Sequence, residues 1–307
     1  MQTPHIPVLL DEVNEIFKNF DKGDFLDCTL GYAGHSKRLL ELHPNLHLIA
    51  CDQDETALNF SKKYLENFKE RTEFYHCNFS QILDKISTNN LRGILADIGV
   101  SSLQLDENER GFSLNSDFLD MRMNQNESLS AYELVNFYPK EKLALIFKEY
   151  GELKDAEFLA DKICKQRAKK EIKSAKELYQ IVGGAKLGKR KISKATLLFQ
   201  ALRIEVNGEL DALNHFLTRL ENLRLKDCIL AVICFHSLED RMVKNFFKKW
   251  SKDCICDDLA LKCECGANHS LGKILSKKPI VPNESEKKKN SRSSCAKMRV
   301  FYFQNQG

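Results

Sequence analysis

Along the first hundred residues, short apolar runs alternate with amphipathic stretches. The runs Phe25–Leu30, Leu46–Cys51, Glu73–Phe79 and Gly93–Val100 are often β-branched or aromatic and predict strands. Between them the spacing predicts helices over His35–Leu42, Glu55–Phe68 and Ser80–Ile86. This is the βαβ rhythm of an α/β fold, a parallel sheet with helices on both faces. From about Leu103 to Ala201 the rhythm stops. Capping boxes at Ser130-x-x-Glu133 and Ser174-x-x-Glu177 open apolar-periodic runs, and Gly151 and Gly183-Gly184 mark helix ends. The pattern thus predicts a discontinuous α/β domain, 1–102 and 202–307, interrupted by an all-helical insertion over 103–201. After the insertion come a helix near Gly208–Leu223, a buried strand Cys228–Phe235, a helix Leu238–Trp250 and a last strand Lys297–Phe303. Residues 251–296 read as loop, ending in a Lys/Ser/Asn/Glu run expected to be mobile.

With 43% hydrophobic and 29% charged residues, a chain of 307 can bury a sizeable core. No apolar run is long enough to span a bilayer, and Met1–His5 has neither the basic nor the apolar part of a secretory leader, so a cytoplasmic protein is expected. The net charge of +4 conceals an asymmetry. Lys165–Lys194 carries a local +9 and Lys273–Arg299 a local +7, leaving the rest of the chain acidic. Two basic stretches on an acidic body suit a polyanion such as a phosphate backbone. Of the eleven cysteines, Cys28, Cys51, Cys77, Cys228 and Cys234 lie in strand-like runs and read as small hydrophobes. The pairs Cys254-x-Cys256 and Cys263-x-Cys265, near His269, have one intervening residue each. Zinc sites favour C-x₂₋₄-C, so these four are read as unpaired thiols and no metal is expected.

The first strand runs into Asp27-Cys28-Thr29-Leu30-Gly31-Tyr32-Ala33-Gly34-His35, a tight glycine turn opening a helix. Asp52 closes the second strand 21 residues after Gly31, where a carboxylate can accept both ribose hydroxyls of an adenosine. Asp27 would repel a pyrophosphate and attract the ammonium of a methionine moiety, which favours S-adenosylmethionine over a dinucleotide. Asp97 ends the fourth strand, where a carboxylate can hold an exocyclic amine in line with the sulfonium methyl. His236, after the fifth strand, is a second catalytic candidate, as proton acceptor or base-positioning group. Ser237-x-x-Asp240 has the spacing of a capping box. No proline precedes a cysteine, so the common arrangement of a carbon-5 pyrimidine methyltransferase nucleophile is missing, which fits N-methylation.

The chain resembles, from end to end, the bacterial small-subunit rRNA (cytosine-N4) methyltransferase family. The matching runs are His5-x-Pro7-Val8-Leu9-Leu10-x-Glu12, Gly31-x-x-Gly34-His35-Ser36, Asp97-x-Gly99-Val100-Ser101-Ser102-x-Gln104-Leu105-Asp106, Arg110-Gly111-Phe112-Ser113, Leu119-Asp120-Met121-Arg122-Met123, Phe199-Gln200-Ala201-x-Arg203-Ile204-x-Val206-Asn207 and Phe235-His236-Ser237-Leu238-Glu239-Asp240-Arg241. The resemblance implies a class I, Rossmann-like S-adenosylmethionine-dependent methyltransferase sheet with a helical insertion for RNA recognition. It implies methylation of N4 of a cytidine in the decoding region of 16S ribosomal RNA in the small subunit, with no DNA partner. Cofactor contacts are implied for Ala33, Gly34, His35, Asp52, Phe79, Asp97 and Gln104. RNA contacts are expected from Lys189, Arg190 and Lys191, and from Arg203. Ala33 stands where the family usually has Gly, and Leu103 where it usually has Pro.

Overall fold

The computed structural model describes residues 6–184, 192–257 and 262–304, with backbone alone for Ser102 and Leu103. The chain forms two compact units, one of residues 1–99 with 211–307 and the other of residues 100–210.

The first unit is built on a seven-stranded sheet. Its strands are β1 (Gly23–Asp27), β2 (Leu46–Asp52), β3 (Thr72–His76), β4 (Leu91–Asp97), β5 (Cys228–Cys234), β6 (Gly272–Ile274) and β7 (Lys297–Phe303). The order is β3-β2-β1-β4-β5-β7-β6. β1 to β5 are parallel, while β7 runs antiparallel between β5 and β6. The chain leaves β1 toward one edge and returns to β4 on the other side. This creates a topological switch point between β1 and β4, the place where open sheets of this kind bind ligands beyond the carboxyl ends of their strands.

Parallel strands of this kind are buried on both faces, which is why they read as unbroken apolar runs. Phe25, Leu48, Ala50 and Leu95 pack on one face with Leu9, Phe17, Leu39 and Leu58. Leu26, Ile49, Cys51, Ile94 and Ala96 point to the other, against Phe216, Leu220, Phe247 and Trp250. The five strand cysteines are buried in these layers, as small hydrophobes would be.

The second unit is helical, with helices Ala131–Phe137, Lys140–Glu149, Ala156–Arg167, Ala175–Val182 and Lys194–Asn207 around their own core. Both expected capping boxes form, at Ser130/Glu133 and Ser174/Glu177. A boundary at residue 201 would cut the Lys194–Asn207 helix, which runs on to a left-handed C-cap at Gly208. Among the described residues, no helix is long and apolar enough to cross a membrane.

Three local expectations differ from the structure. β1 and β4 end at Asp27 and Asp97, three residues before the apolar character does. The loop-rich stretch contains β6. The lysine run within it forms a helix, Glu284–Lys289, capped by Asn283 and tied to the N-terminal segment by Leu9 N–H donating to Glu286 Oε1 at 2.8 Å.

Candidate active site

Three neighbouring strands, β2, β1 and β4, each end in an aspartate: Asp52, Asp27 and Asp97. Each meets a different local demand. Asp27 is 2% exposed and accepts from Ser36 Oγ at 2.5 Å and Thr29 N–H at 3.1 Å. Burial raises its pKa, and the Ser36 hydrogen bond works the other way. The carboxylate thereby ties β1 to the following helix, Gly34–Leu42.

Asp52 clamps the glycine turn. Its Oδ2 accepts from Gly31 N–H at 2.7 Å and its Oδ1 from Asp54 N–H at 2.8 Å. Ser61 Oγ donates to the Gly31 carbonyl at 2.6 Å from the other side. Burial pushes Asp52 up to about 6, against those two N–H bonds. Each carboxylate oxygen keeps a lone pair, so the group can still accept from a ligand.

Asp97 is the least satisfied of the three. Its backbone N–H is fixed by Thr29 Oγ1 at 2.7 Å. Its Oδ1 is buried with no hydrogen-bond partner, and Oδ2 lies 3.8 Å from His35 Nε2. Both ring nitrogens of the buried His35 also lack partners. Such orphaned polar atoms are costly in a closed interior, and a ligand is one way to satisfy them. The three carboxylates repel one another: Asp27 is raised by Asp97, and Asp52 by Asp27. A cationic ligand lowers that repulsion and an anionic one increases it. The donor set therefore fits S-adenosylmethionine, with its sulfonium and ammonium, and not a pyrophosphate.

The turn itself is conformationally demanding. Gly31 (φ 49°) and Ala33 (φ 56°) are both left-handed. For Ala33 that region costs on the order of 1–2 kcal/mol relative to the right-handed one. Gly34 opens the helix where a Cβ would stand 2.3 Å from Pro7 Cγ, so its smallness serves the packing of the N-terminal segment. Phe79, at the start of the Phe79–Ile82 helix, sets its ring edge-on to Phe216 at 5.5 Å.

His236 proves to be a helix cap. It is the N-cap of the Ser237–Trp250 helix, with Nδ1 accepting from Glu239 N–H at 3.4 Å. Glu239, 1% exposed, closes the box by accepting from Phe235 N–H at 2.8 Å and His236 N–H at 3.1 Å. The capping box is thus His236-x-x-Glu239, one residue ahead of the expected Ser237-x-x-Asp240. Asp240 instead accepts from Arg299 Nε at 2.6 Å and Lys297 Nζ at 3.4 Å. Burial opposes its charge, but these cations hold its pKa below the usual value. Thr29, Ser61 and Glu239 are the supporting residues that sequence reasoning missed. Only Glu239 left a signal, its spacing from His236.

Gln104 and Arg203 belong to the helical unit. Gln104 is 4% exposed, its Oε1 accepting from Ser101 N–H at 3.0 Å. Arg203 forks onto Glu209 with two bonds of 2.8 Å. Lys189, Arg190 and Lys191 lie outside the described residues. Elsewhere in the basic stretch, the exposed Lys165, Lys170 and Lys176 and the half-buried Lys194 already pair with acids. Lys165 meets Asp161 and Lys176 meets Asp117, each at 2.7 Å, Lys170 meets Glu177 at 3.0 Å, and Lys194 meets Asp155.

The MraW methylase family model matches residues 2–304. The chain is 67% identical over 306 residues to Ribosomal RNA small subunit methyltransferase H of Campylobacter jejuni, covering 99% of each chain. It is 55% identical over 304 residues to the protein of that name in Campylobacter curvus, covering 98% of each. Among solved structures, an rRNA methylase from Streptococcus thermophilus aligns with 99% of this chain and 98% of its own, at 11% identity and a TM-score of 0.37. The chain belongs to the MraW methylase family.

Proposed function

We propose that this chain is an S-adenosylmethionine-dependent methyltransferase of small-subunit ribosomal RNA whose acceptor is N4 of a cytidine in the decoding region. The relatives named Ribosomal RNA small subunit methyltransferase H support the substrate class. The observation that carries the chemistry is the Asp97 carboxylate at the switch point, with its buried, unpartnered Oδ1. S-adenosylmethionine supplies a methyl group on a positively charged sulfur. Asp52 accepts from the ribose hydroxyls, Gly34 and His35 offer the backbone N–H groups of the first helical turn beside Ala33, whose own N–H goes to Leu30 O at 2.7 Å, and Phe79 and Gln104 are the remaining proposed cofactor contacts. Asp97 accepts one N–H of the exocyclic amine and stabilises the positive charge that grows on nitrogen as it attacks. The transfer is direct. An amine requires no covalent intermediate, and burial holds the Cys234 thiol, at the end of the neighbouring β5, well above its ordinary pKa. His236, whose Nδ1 is engaged in the helix cap, ranks second as a proton acceptor because the methylated amine can lose its proton to water. The proposed reaction takes place in the cytoplasm, where small subunits are assembled.

Mass spectrometry of 16S rRNA nucleosides from a strain lacking the protein tests the acceptor. N4-methylated cytidine should fall and return on complementation with this chain. An unchanged level, or loss of a different methylated nucleoside, refutes the N4 assignment.

RNA phosphates are the proposed partners of the Lys165–Lys194 stretch. Exposed ion pairs of the kind seen at Lys165 and Lys176 are worth only about 0–1 kcal/mol, so exchanging a carboxylate for a phosphate costs little. Reversing Lys189, Arg190 and Lys191 to Glu should weaken RNA binding and reduce the slope of log K against log salt by roughly 2–3, the loss of three phosphate contacts. Cofactor affinity should not change. An unaltered salt slope would show those three side chains to be a solvated face.

A further inference from the structure

Between the Ser237–Trp250 helix and β6, the described segments 251–257 and 262–271 are clasped together. Leu271 N–H donates to Trp250 O at 2.7 Å, and His269 N–H to Asp253 O at 3.0 Å. Within them, two Cys-x-Cys pairs converge. Cys254 Sγ lies 3.5 Å from Cys263 Sγ and 3.7 Å from Cys265 Sγ, and Cys263 and Cys265 are 3.6 Å apart. With Cys256, all four sulfurs lie within 4.8 Å of one another.

These distances have a simple geometric meaning. A metal with four thiolates at ~2.3 Å in a regular tetrahedron separates the sulfurs by about 3.8 Å. A disulfide would bring two of them to ~2.05 Å, and all four are free thiols. Hydrophobic burial does not explain the convergence. Cys263 is exposed and the other three are half-buried, whereas the strand cysteines lie in the core. The backbone supplies a second signature. Glu264 and Cys265 N–H donate to Cys256 Sγ at 3.2 and 3.3 Å, and Ile255 N–H donates to Cys265 Sγ at 3.4 Å. Backbone donors aimed at sulfur support thiolate charge in metal sites. His269 turns its Nε2 to the Cys265 carbonyl at 3.1 Å and is no competitor for the site.

We propose that Cys254, Cys256, Cys263 and Cys265 bind one zinc ion as a closed structural site. This reverses the expectation drawn from spacing. The single-residue interval is unusual within a helical or knuckle-type zinc motif. In non-helical backbone, however, residues i and i+2 share a face, and two such segments set face to face bring four sulfurs together. Four soft thiolates in a tetrahedron select zinc over magnesium, calcium or manganese. Four protein ligands leave no open position, so the ion holds the loop and takes no part in transfer. Binding releases the thiol protons, so it strengthens as pH rises. The inference is independent of the methyl-transfer reading.

Elemental analysis of the untagged full chain, purified without chelator, should find one zinc per chain. Replacing all four cysteines by Ser should abolish it, while Cys164→Ser with Cys295→Ser, both outside the cluster, should retain it. Should the four-serine variant not fold, native protein decides the matter. A mercurial thiol reagent should release one zinc per chain to a metal-sensitive dye, and cobalt substitution should give the visible bands of a tetrahedral thiolate site. Iron or copper in place of zinc, or a metal-free chain in which all four thiols react at once with Ellman's reagent, overturns the proposal. So does isolation of the four as two disulfides under reducing conditions.

Discussion

Asp97→Asn should lower the single-turnover rate of methyl transfer by at least about tenfold while RNA affinity stays nearly constant. An exocyclic amine is a poor nucleophile because its lone pair is delocalised into the ring. It becomes cationic as the new bond forms, and a fixed carboxylate beside it gains its advantage only then. Preorganised charge of this kind is worth about 3–4 kcal/mol in comparable sites. Asparagine keeps the size and one acceptor of the side chain and removes its charge. It also keeps the backbone N–H that Thr29 Oγ1 holds at 2.7 Å, so the strand end should not move. Rapid-quench kinetics with labelled cofactor and small subunits reads the rate directly. An unchanged rate, or a trapped covalent RNA–protein adduct, would eliminate this role for Asp97.

Asp52→Ala should weaken cofactor binding by about 1–3 kcal/mol, roughly 5- to 150-fold, through loss of charge-assisted hydrogen bonds. The raised pKa of about 6 adds a test that truncation alone lacks. Ribose hydroxyls donate, so they need the ionised carboxylate. Affinity should be full above pH 6 and fall as pH drops through that value, and Asp52→Asn should remove the inflection. Stability of the cofactor-free chain runs the opposite way. A carboxyl raised from 3.8 to about 6 favours the folded state when protonated. That contribution is complete below pH 3.8 and is lost as pH rises through about 6. Calorimetric titration and thermal melts across pH 5 to 8 should therefore diverge. Affinity independent of both pH and residue 52 would rule out the ribose assignment.

The alternation of strand and helix could be read because buried parallel strands carry continuous apolar runs, and β2, β4 and β5 each bury four or more residues in succession. β6 could not, since three residues carry no period. The Glu284–Lys289 helix was hidden by its charge, although Asn283 three residues before Glu286 is a cap signal. Asp27, Asp52 and Asp97 were legible as acidic residues at strand ends, but the bonds each makes were not. Those depend on Thr29, Ser36 and Asp54, which look ordinary in sequence. The capping box was placed one residue late because histidine is an uncommon N-cap, and Ser237 offered a more familiar one. The convergence of the four thiols was not legible for a related reason: spacing along a chain does not reveal two loop segments lying face to face.

The place of β7 in the sheet sets an order of events during synthesis. The helical unit, residues 100–210, is contiguous, and its core draws on no residue beyond Val206. The sheet, by contrast, takes an internal strand from residues 297–303, seated between β5 and β6. Until that segment leaves the ribosome, β5 has an open edge toward the place of β7, and unpaired edges invite wrong partners. Nascent chains arrested before residue 297 should protect the helical unit from protease while the sheet remains cleavable. Protection of both at that length would show that the sheet closes without its last strand. The chain can thus acquire its helical unit before its sheet, although the helical unit interrupts the sheet in the gene.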